Sequence, residues 1–292
     1  MNPHRAAWWF LMPALLVLGV FFLLPVVAAL GLSLTDYDLY ALADIRHLRF
    51  VALGNYWDLL HQPAFWSALG HTFYFVLAGV PLSIMVSLGA ALLLNSPLAR
   101  CKPFFRTALF APVVTTVAAV ALVWRYIFNT KYGMANYVLG AAGIHPVDWL
   151  GDPHWAMPTI ILFAVWKNFG YNMIIFLAGL QAIPGDLYEA ARIDGASPLQ
   201  QFRHITLPML APTLLMVSIL TVSGYFQLFA EPYVMTEGGP LQSTTSVLYL
   251  MYNDGFKWWN FGTASAVAFL LFVIMFAVTA LMLRVARRGA AA

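Results

Sequence analysis

The placement of charge along this 292-residue chain constrains its fold more than any single motif does. No Asp, Glu, Lys or Arg occurs between Arg5 and Asp36, between Asp58 and Arg100, between Arg106 and Arg125, between Arg203 and Glu231, or between Lys257 and Arg284. Between Asp152 and Asp186 only Lys167 intervenes. A bilayer core about 30 Å thick is crossed by about 20 apolar residues of helix. These six stretches therefore predict crossings near 8–33, 70–95, 107–128, 156–181, 208–230 and 262–284. Composition agrees, since 62% of residues are hydrophobic and 9% charged, against about 45–50% and about 25% in soluble domains. The expected fold class is all-α, a polytopic membrane protein with six transmembrane helices in one membrane domain over 1–292. A secreted, fibrous or disordered chain is excluded, and the lone Cys101 excludes an internal disulfide.

Orientation follows from Lys and Arg, which are retained on the cytoplasmic side. With the N-terminus inside, the cytoplasmic set is Arg5, Arg100, Lys102, Arg106, Arg192, Arg203, Arg284, Arg287 and Arg288. The outer loops, about 34–69, 129–155 and 231–261, then hold only Arg46, Arg49, Lys131 and Lys257. Both termini are expected in the cytoplasm. Trp57, Trp66, Trp149, Trp155, Trp258 and Trp259 fall at or near the outer loop ends, where interfacial anchors sit. The first apolar stretch exceeds the 7–15 residues of a secretory signal, so it is read as a retained helix.

Several chemistries find no support. None of the four lysines, Lys102, Lys131, Lys167 and Lys257, follows a glycine, so no GxxxxGK[ST] phosphate loop can be written. The chain itself is not expected to hydrolyse ATP. No HExxH, GxSxG or clustered metal-ligand spacing occurs, and the seven histidines, His4, His47, His61, His71, His145, His154 and His204, read as loop or interfacial residues. No enzyme activity, metal or cofactor is expected of this chain. Ion-coupled carriers usually place carboxylates within their spans. Here Glu231 sits at a helix end and Lys167 is the one deep charge, which weakens the alternative of a self-sufficient ion-coupled secondary carrier. Lys167 has three open readings: snorkelling outward, pairing with a partner carboxylate, or attracting an anionic substrate.

The connection 183–208 reads as two short helices and a hinge. Asp186 and Glu189 have capping-box spacing, and Gly195 suits a left-handed helix stop. Ser197 can cap a second helix with Pro198 at its first position. Physically, this is either an amphipathic connector on the membrane surface or a docking element whose small Ala190 and Ala191 permit close approach.

Glu189-Ala190-Ala191, then Gly195, then Ile205-Thr206-Leu207-Pro208 resembles the EAA loop of permease subunits in binding-protein-dependent ABC importers. Further segments resemble the carbohydrate branch of that family, the maltose and glycerol-phosphate type. They are Asn55-Tyr56, Phe65-Trp66, Phe105-Arg106-Thr107, Ala111-Pro112, Trp124-Arg125, Phe128-Asn129, Leu177 to Pro184, and Thr236 to Pro240. The likeness spans roughly residues 8–285. It implies a type I ABC importer permease fold in a bacterial or archaeal plasma (inner) membrane. Implied partners are a second homologous permease, two ATPase subunits that use ATP and Mg, an extracytoplasmic substrate-binding protein, and membrane lipid; no nucleic acid is expected. It also implies that Leu187, Tyr188, Glu189, Ala190, Ala191, Asp194 and Gly195 couple to the ATPase, and that Asn55, Gly238, Gly239 and Pro240 face the binding protein.

A sugar or polyol substrate needs amide and hydroxyl partners beside aromatic platforms. Trp166, Asn168, Gly170, Tyr171 and Asn172 in the fourth span supply these, with Ser223, Gly224, Tyr225, Gln227 and Glu231 in and after the fifth. Positions 224, 227 and 231 are expected on one helical face. The plainer reading of all ten is interhelical packing and hydrogen bonding.

Overall fold

The computed structural model describes residues 3–44, 46 and 48–291. His47, read above as a loop residue, lies outside the described residues, as do the side chains of His4, Arg5 and Arg288. Regular structure is helical, joined by loops and one isolated antiparallel bridge, Thr35 to Phe50.

Helix α1 (Pro3–Leu18) runs through a π-helical turn, Gly19–Leu23, into α2 (Leu24–Ser33). Short helices α3 (Leu39–Ala43) and α4 (Gly54–His61) precede the long α5 (Pro63–Asn95). Next come α6 (Lys102–Val114), α7 (Val117–Ile127), α8 (Met134–Ala141), α9 (Pro153–Gln181), α10 (Gly185–Ile193) and α11 (Pro198–Gln201). A π-helical turn, Phe202–Thr206, leads to α12 (Leu207–Met209), α13 (Ala211–Phe226), α14 (Ala230–Met235), α15 (Val247–Tyr252) and α16 (Phe261–Ala291).

Among the described residues, four stretches are helices long and apolar enough to cross a membrane: Phe10–Ser33, Pro63–Asn95, Pro153–Gln181 and Phe261–Arg287. The other two predicted crossings are broken. The stretch expected as one helix over 107–128 bends by 97° between α6 and α7, and the fifth bends by 66° between Met209 and Ala211. Pro212 explains the second: it stands at the start of α13, where proline lacks an amide donor and its ring crowds the preceding turn. The first bend follows Pro112, where Thr115 and Thr116 take extended backbone.

The chain forms two compact units, Met1–Trp66 with Leu250–Ile274, and Ser67–Tyr249 with Met275–Ala292. In the first, the Asn55 amide donates to the carbonyls of Ser33 and Thr35, both at 2.8 Å, tying α4 to the end of α2. The Tyr37 carbonyl accepts from the Gly262 amide at 3.0 Å. The Asp36 carboxylate accepts from the Arg49 backbone and guanidinium. Burial works against ionisation there, but Arg49 outweighs it and holds the Asp36 carboxyl below the usual carboxylate range. Arg49 is largely exposed, so the pair adds little stability.

In the second unit, α9 is the axis. It packs against α6, α7, α13 and α14. Gly170 lets α6 approach, because a Cβ there would run into the Leu109 carbonyl and the Phe110 Cα. Gly179 does the same toward Thr213 and Leu210. Below them Met173, Phe176, Leu177 and Leu180 of α9 form one apolar cluster with Ala91 and Leu94 of α5, and with Leu210 and Val217. At the other end the 129–152 loop is organised by Asn136, which is 8% exposed. Its amide donates to the Thr130 and Val147 carbonyls at 3.0 and 2.8 Å, and its oxygen accepts from the Val147 amide and the Trp149 indole at 3.1 and 2.9 Å. Both ends of the side chain are thus satisfied inside the protein.

Asn136→Ala is expected to strand several of these groups and to cost about 2–3 kcal/mol, read as a lowered unfolding temperature of the detergent-solubilised protein. Asn136→Asp, which sets a carboxylate oxygen against the Thr130 and Val147 carbonyls, should be at least as destabilising. A second prediction concerns Asp254, in the outer π-helical turn Asn253–Lys257. Burial pushes its carboxyl up to about 6 from the ordinary 3.8. The folded state then holds a proton that the unfolded state releases, so this group's contribution to stability falls as pH rises from about 4 to about 6 and is level above that. The difference in unfolding temperature between the wild type and Asp254→Asn, followed from pH 4 to 7, should move in the mutant's favour across that window.

Candidate functional sites: a membrane cavity and an exposed loop helix

A cavity of about 290 Å³ opens in the second unit. Seven of the ten pathway residues expected from sequence line it: Asn168, Tyr171 and Asn172 from α9, Gly224 and Tyr225 from α13, and Gln227 and Glu231 beyond. The reason differs from the one expected. Helix α13 stops at Phe226, Gln227 is its C-terminal cap, and Glu231 belongs to α14. Positions 224, 227 and 231 therefore do not share one helical face; a chain reversal after 226 brings them to the same wall.

The remaining three stand elsewhere. Trp166 stacks with Trp124 of α7 at 5.2 Å between ring centroids. Gly170 is the contact point with α6, and Ser223 gives its backbone carbonyl to the Gln227 amide. Sequence reasoning missed Phe75, Val113, Leu220, Thr221 and Leu228, which complete the wall. Their apolar spacing is indistinguishable from lipid-facing sequence, so nothing in the chain's pattern singles them out.

The cavity carries the mixture a polyhydroxylated ligand needs. The rings of Phe75 and Tyr225 lie 4.9 Å apart, and Tyr225 fits because Gly79 of α5 has no side chain; a Cβ there would come within 2.7 Å of its ring. The Asn172 amide donates to Thr221 Oγ1 at 2.9 Å and to Ser83 Oγ at 3.4 Å, linking α9 to α13 and α5. Tyr225 is 6% exposed. Its hydroxyl, beside Ser83, makes no hydrogen bond of normal geometry, an arrangement that costs free energy until a partner arrives.

Lys167 does not snorkel outward. It is 4% exposed, and its ammonium donates to the Val113 carbonyl at 3.0 Å. Val113 belongs to the last turn of α6, where the helix break leaves carbonyls without amide partners. A cation at a helix C-terminus also meets the negative end of the helix dipole. Arg125 acts similarly on α14, donating to the Val234 carbonyl at 3.2 Å.

In the loop 183–208, α10 covers most of the expected coupling residues. Leu187, Glu189, Ala190, Asp194 and Gly195 are exposed, and Ala191 is half-buried. Gly195 has φ of 78°, the left-handed stop expected. Ser197 caps α11 as expected, and the structure adds a reciprocal bond from the Gln200 side chain that completes a capping box. The proposed Asp186 cap does not form: Pro184 is the N-cap, and Asp186 falls inside the first turn, where its charge meets the helix dipole. Tyr188 turns inward, packing on the α9 cluster with its hydroxyl 2.9 Å from Thr206 Oγ1. Ile193, 87% exposed, was overlooked; an isoleucine standing in the open among charges is the signal that would have found it.

Of the outer residues, Asn55 is engaged by the two carbonyls already described. Gly238 has φ of 82° and sits under the Tyr249 ring. The carbonyls of Gly238 and Gly239 accept from Thr245 and Thr244 hydroxyls, and Pro240 is half-buried. These glycines shape a closed turn.

Tyr225→Phe is expected to leave the unfolding temperature unchanged or slightly raised, because it removes an unpartnered buried hydroxyl. In the same protein ligand-dependent uptake should fall, and a lowered unfolding temperature would mean that the hydroxyl is engaged within the chain.

The model for binding-protein-dependent transport system inner membrane components matches residues 79–289. The chain is 38% identical over 276 residues to the lactose transport system permease protein LacF of Rhizobium radiobacter, covering 93% of this chain and 90% of that one. It is 36% identical over 277 residues to the trehalose/maltose transport system permease protein MalF of Thermococcus litoralis, covering 95% and 92%. In fold it is similar to a chain from the crystal structure of a bacterial ABC transporter involved in the import of the acidic polysaccharide alginate. There the TM-score is 0.79 at 21% identity, with 97% and 96% of the two chains covered. This chain belongs to the family of binding-protein-dependent transport system inner membrane components, the multi-pass permease subunits of such importers.

Proposed function

We propose that this chain is the permease through which an ATP-driven importer takes up a carbohydrate or related polyol. It has no phosphate loop of its own, so the energy comes from two partner ATPase subunits using ATP and Mg. A second permease completes the membrane path, and an extracytoplasmic binding protein delivers the substrate. The charge distribution of the loops supports placing both termini in the cytoplasm.

The observation that carries this reading is α10. Tyr188 fixes it to the apolar cluster of α9, while Leu187, Glu189, Ala190 and Ile193 stand in the open. An exposed, firmly seated helix can pass a rigid-body push from a soluble motor into the membrane helices, provided the two end states differ in their contacts. The relatives named for lactose and for trehalose and maltose support a carbohydrate substrate. So does the cavity's pairing of aromatic rings with amides.

Co-purification of the tagged chain from its native membrane tests this directly. The expected result is recovery of an ATPase and a second permease, with hydrolysis stimulated by the sugar-loaded binding protein; uptake by this chain alone under an ion gradient would overturn it. Within that complex, Glu189→Arg and Gly195→Val should each separate ATP hydrolysis from uptake while membrane insertion stays intact. The valine also forces an unfavourable left-handed residue costing about 1–2 kcal/mol. Normal uptake in both variants would remove α10 from the coupling path.

A further inference from the structure

Glu231 is the only carboxyl group on the cavity wall, and no lysine or arginine lines it. Lys167 attracts it electrostatically, yet the two form no ion pair among the described residues. Lys167 is absent from the wall, and its ammonium is already committed to the Val113 carbonyl. A ligand entering the cavity therefore meets a carboxylate directly and meets the cation only through the end of α6.

On the reading of this cavity as a saccharide path, we propose that Glu231 makes the path charge-selective. It passes neutral or amine-bearing saccharides and rejects those carrying phosphate, sulfonate or uronate groups. The chemistry is simple. A carboxylate only accepts hydrogen bonds, so it pairs with adjacent sugar hydroxyls or with an ammonium group and finds no partner in another anion. Two unit charges about 7 Å apart, in the intermediate dielectric of a partly wet cavity, shift local ion occupancy by roughly tenfold or more. The neighbouring amides, Asn168 and Gln227, add dipoles without adding a compensating positive charge.

The electrostatics can be read without knowing the substrate. Gly224 lines the cavity, and a Cβ there meets nothing within 4 Å, so Gly224→Cys places a reporter thiol at little structural cost. Cys101, the one native thiol and exposed, is replaced by serine. In the assembled importer in proteoliposomes, the thiol is labelled with a cationic trimethylammonioethyl or an anionic sulfonatoethyl methanethiosulfonate. The ratio of cation to anion rates is expected to fall about tenfold when Glu231→Gln is added, and to persist in Glu231→Asp, which separates charge from packing. A ratio unmoved by Glu231→Gln, with both reagents reacting, overturns charge selection and leaves the pathway reading standing. Reaction with neither reagent overturns both, because the cavity would then be closed to water.

Discussion

A helix broken within a segment long and apolar enough to span a membrane exposes carbonyls that lipid cannot satisfy, and much of this structure follows from how that debt is met. The break after Val114 gives α6 a C-terminal turn without amide partners, and Lys167 reaches across from α9 to cap it at Val113. One side chain thereby fixes two features. It sets where α6 ends against α9, and it puts Val113 at the edge of the cavity. Gly170 permits that arrangement, since any side chain there would collide with the α6 backbone. The deepest cation in the chain is thus accounted for by helix termination, a role the same charge could not perform on an unbroken span.

The cavity and the loop helix stand on the same column of residues. Asn172, Met173, Phe176, Leu177 and Leu180 follow one another down α9. The first joins α13 and α5 through Thr221 and Ser83, and the others build the apolar cluster on which Tyr188 and Ile205 rest. A close-packed column of this kind transmits displacement because interiors rearrange between discrete packings and do not deform smoothly. The column thus joins the seat of α10 to Asn172, one wall of the cavity, without any flexible linker between them. The glycines at 79 and 179 keep the column tight by admitting Tyr225 and the 210–213 turn.

How much of this could be read from the chain depended on the range of the interaction involved. The charge-free stretches marked the apolar segments, Gly195 marked the end of α10, and Ser197 marked the start of α11, because each rests on the local properties of a few neighbouring residues. Asp186 shows the limit of such signals. Its spacing to Glu189 fits a cap, but Pro184 begins the helix earlier and moves Asp186 inside it. Glu231 shows the opposite case, where the grouping with Gly224 and Gln227 holds although the helical periodicity that suggested it does not.

The sequence by itself determined that this chain is helical and membrane-embedded, which stretches are apolar enough to cross, and which loop stands out as a docking element. Those properties depend on hydrophobicity, helix caps and short-range spacing, which neighbours along the chain already define. Only the tertiary structure decided that the third and fifth crossings are bent, that Lys167 serves α6, and that Gly170 and Trp166 pack while Phe75 and Thr221 face the cavity. Which side of a uniformly apolar helix meets another helix is set by complementarity between elements distant in sequence, and a chain apolar on every face carries no periodic signal of that choice.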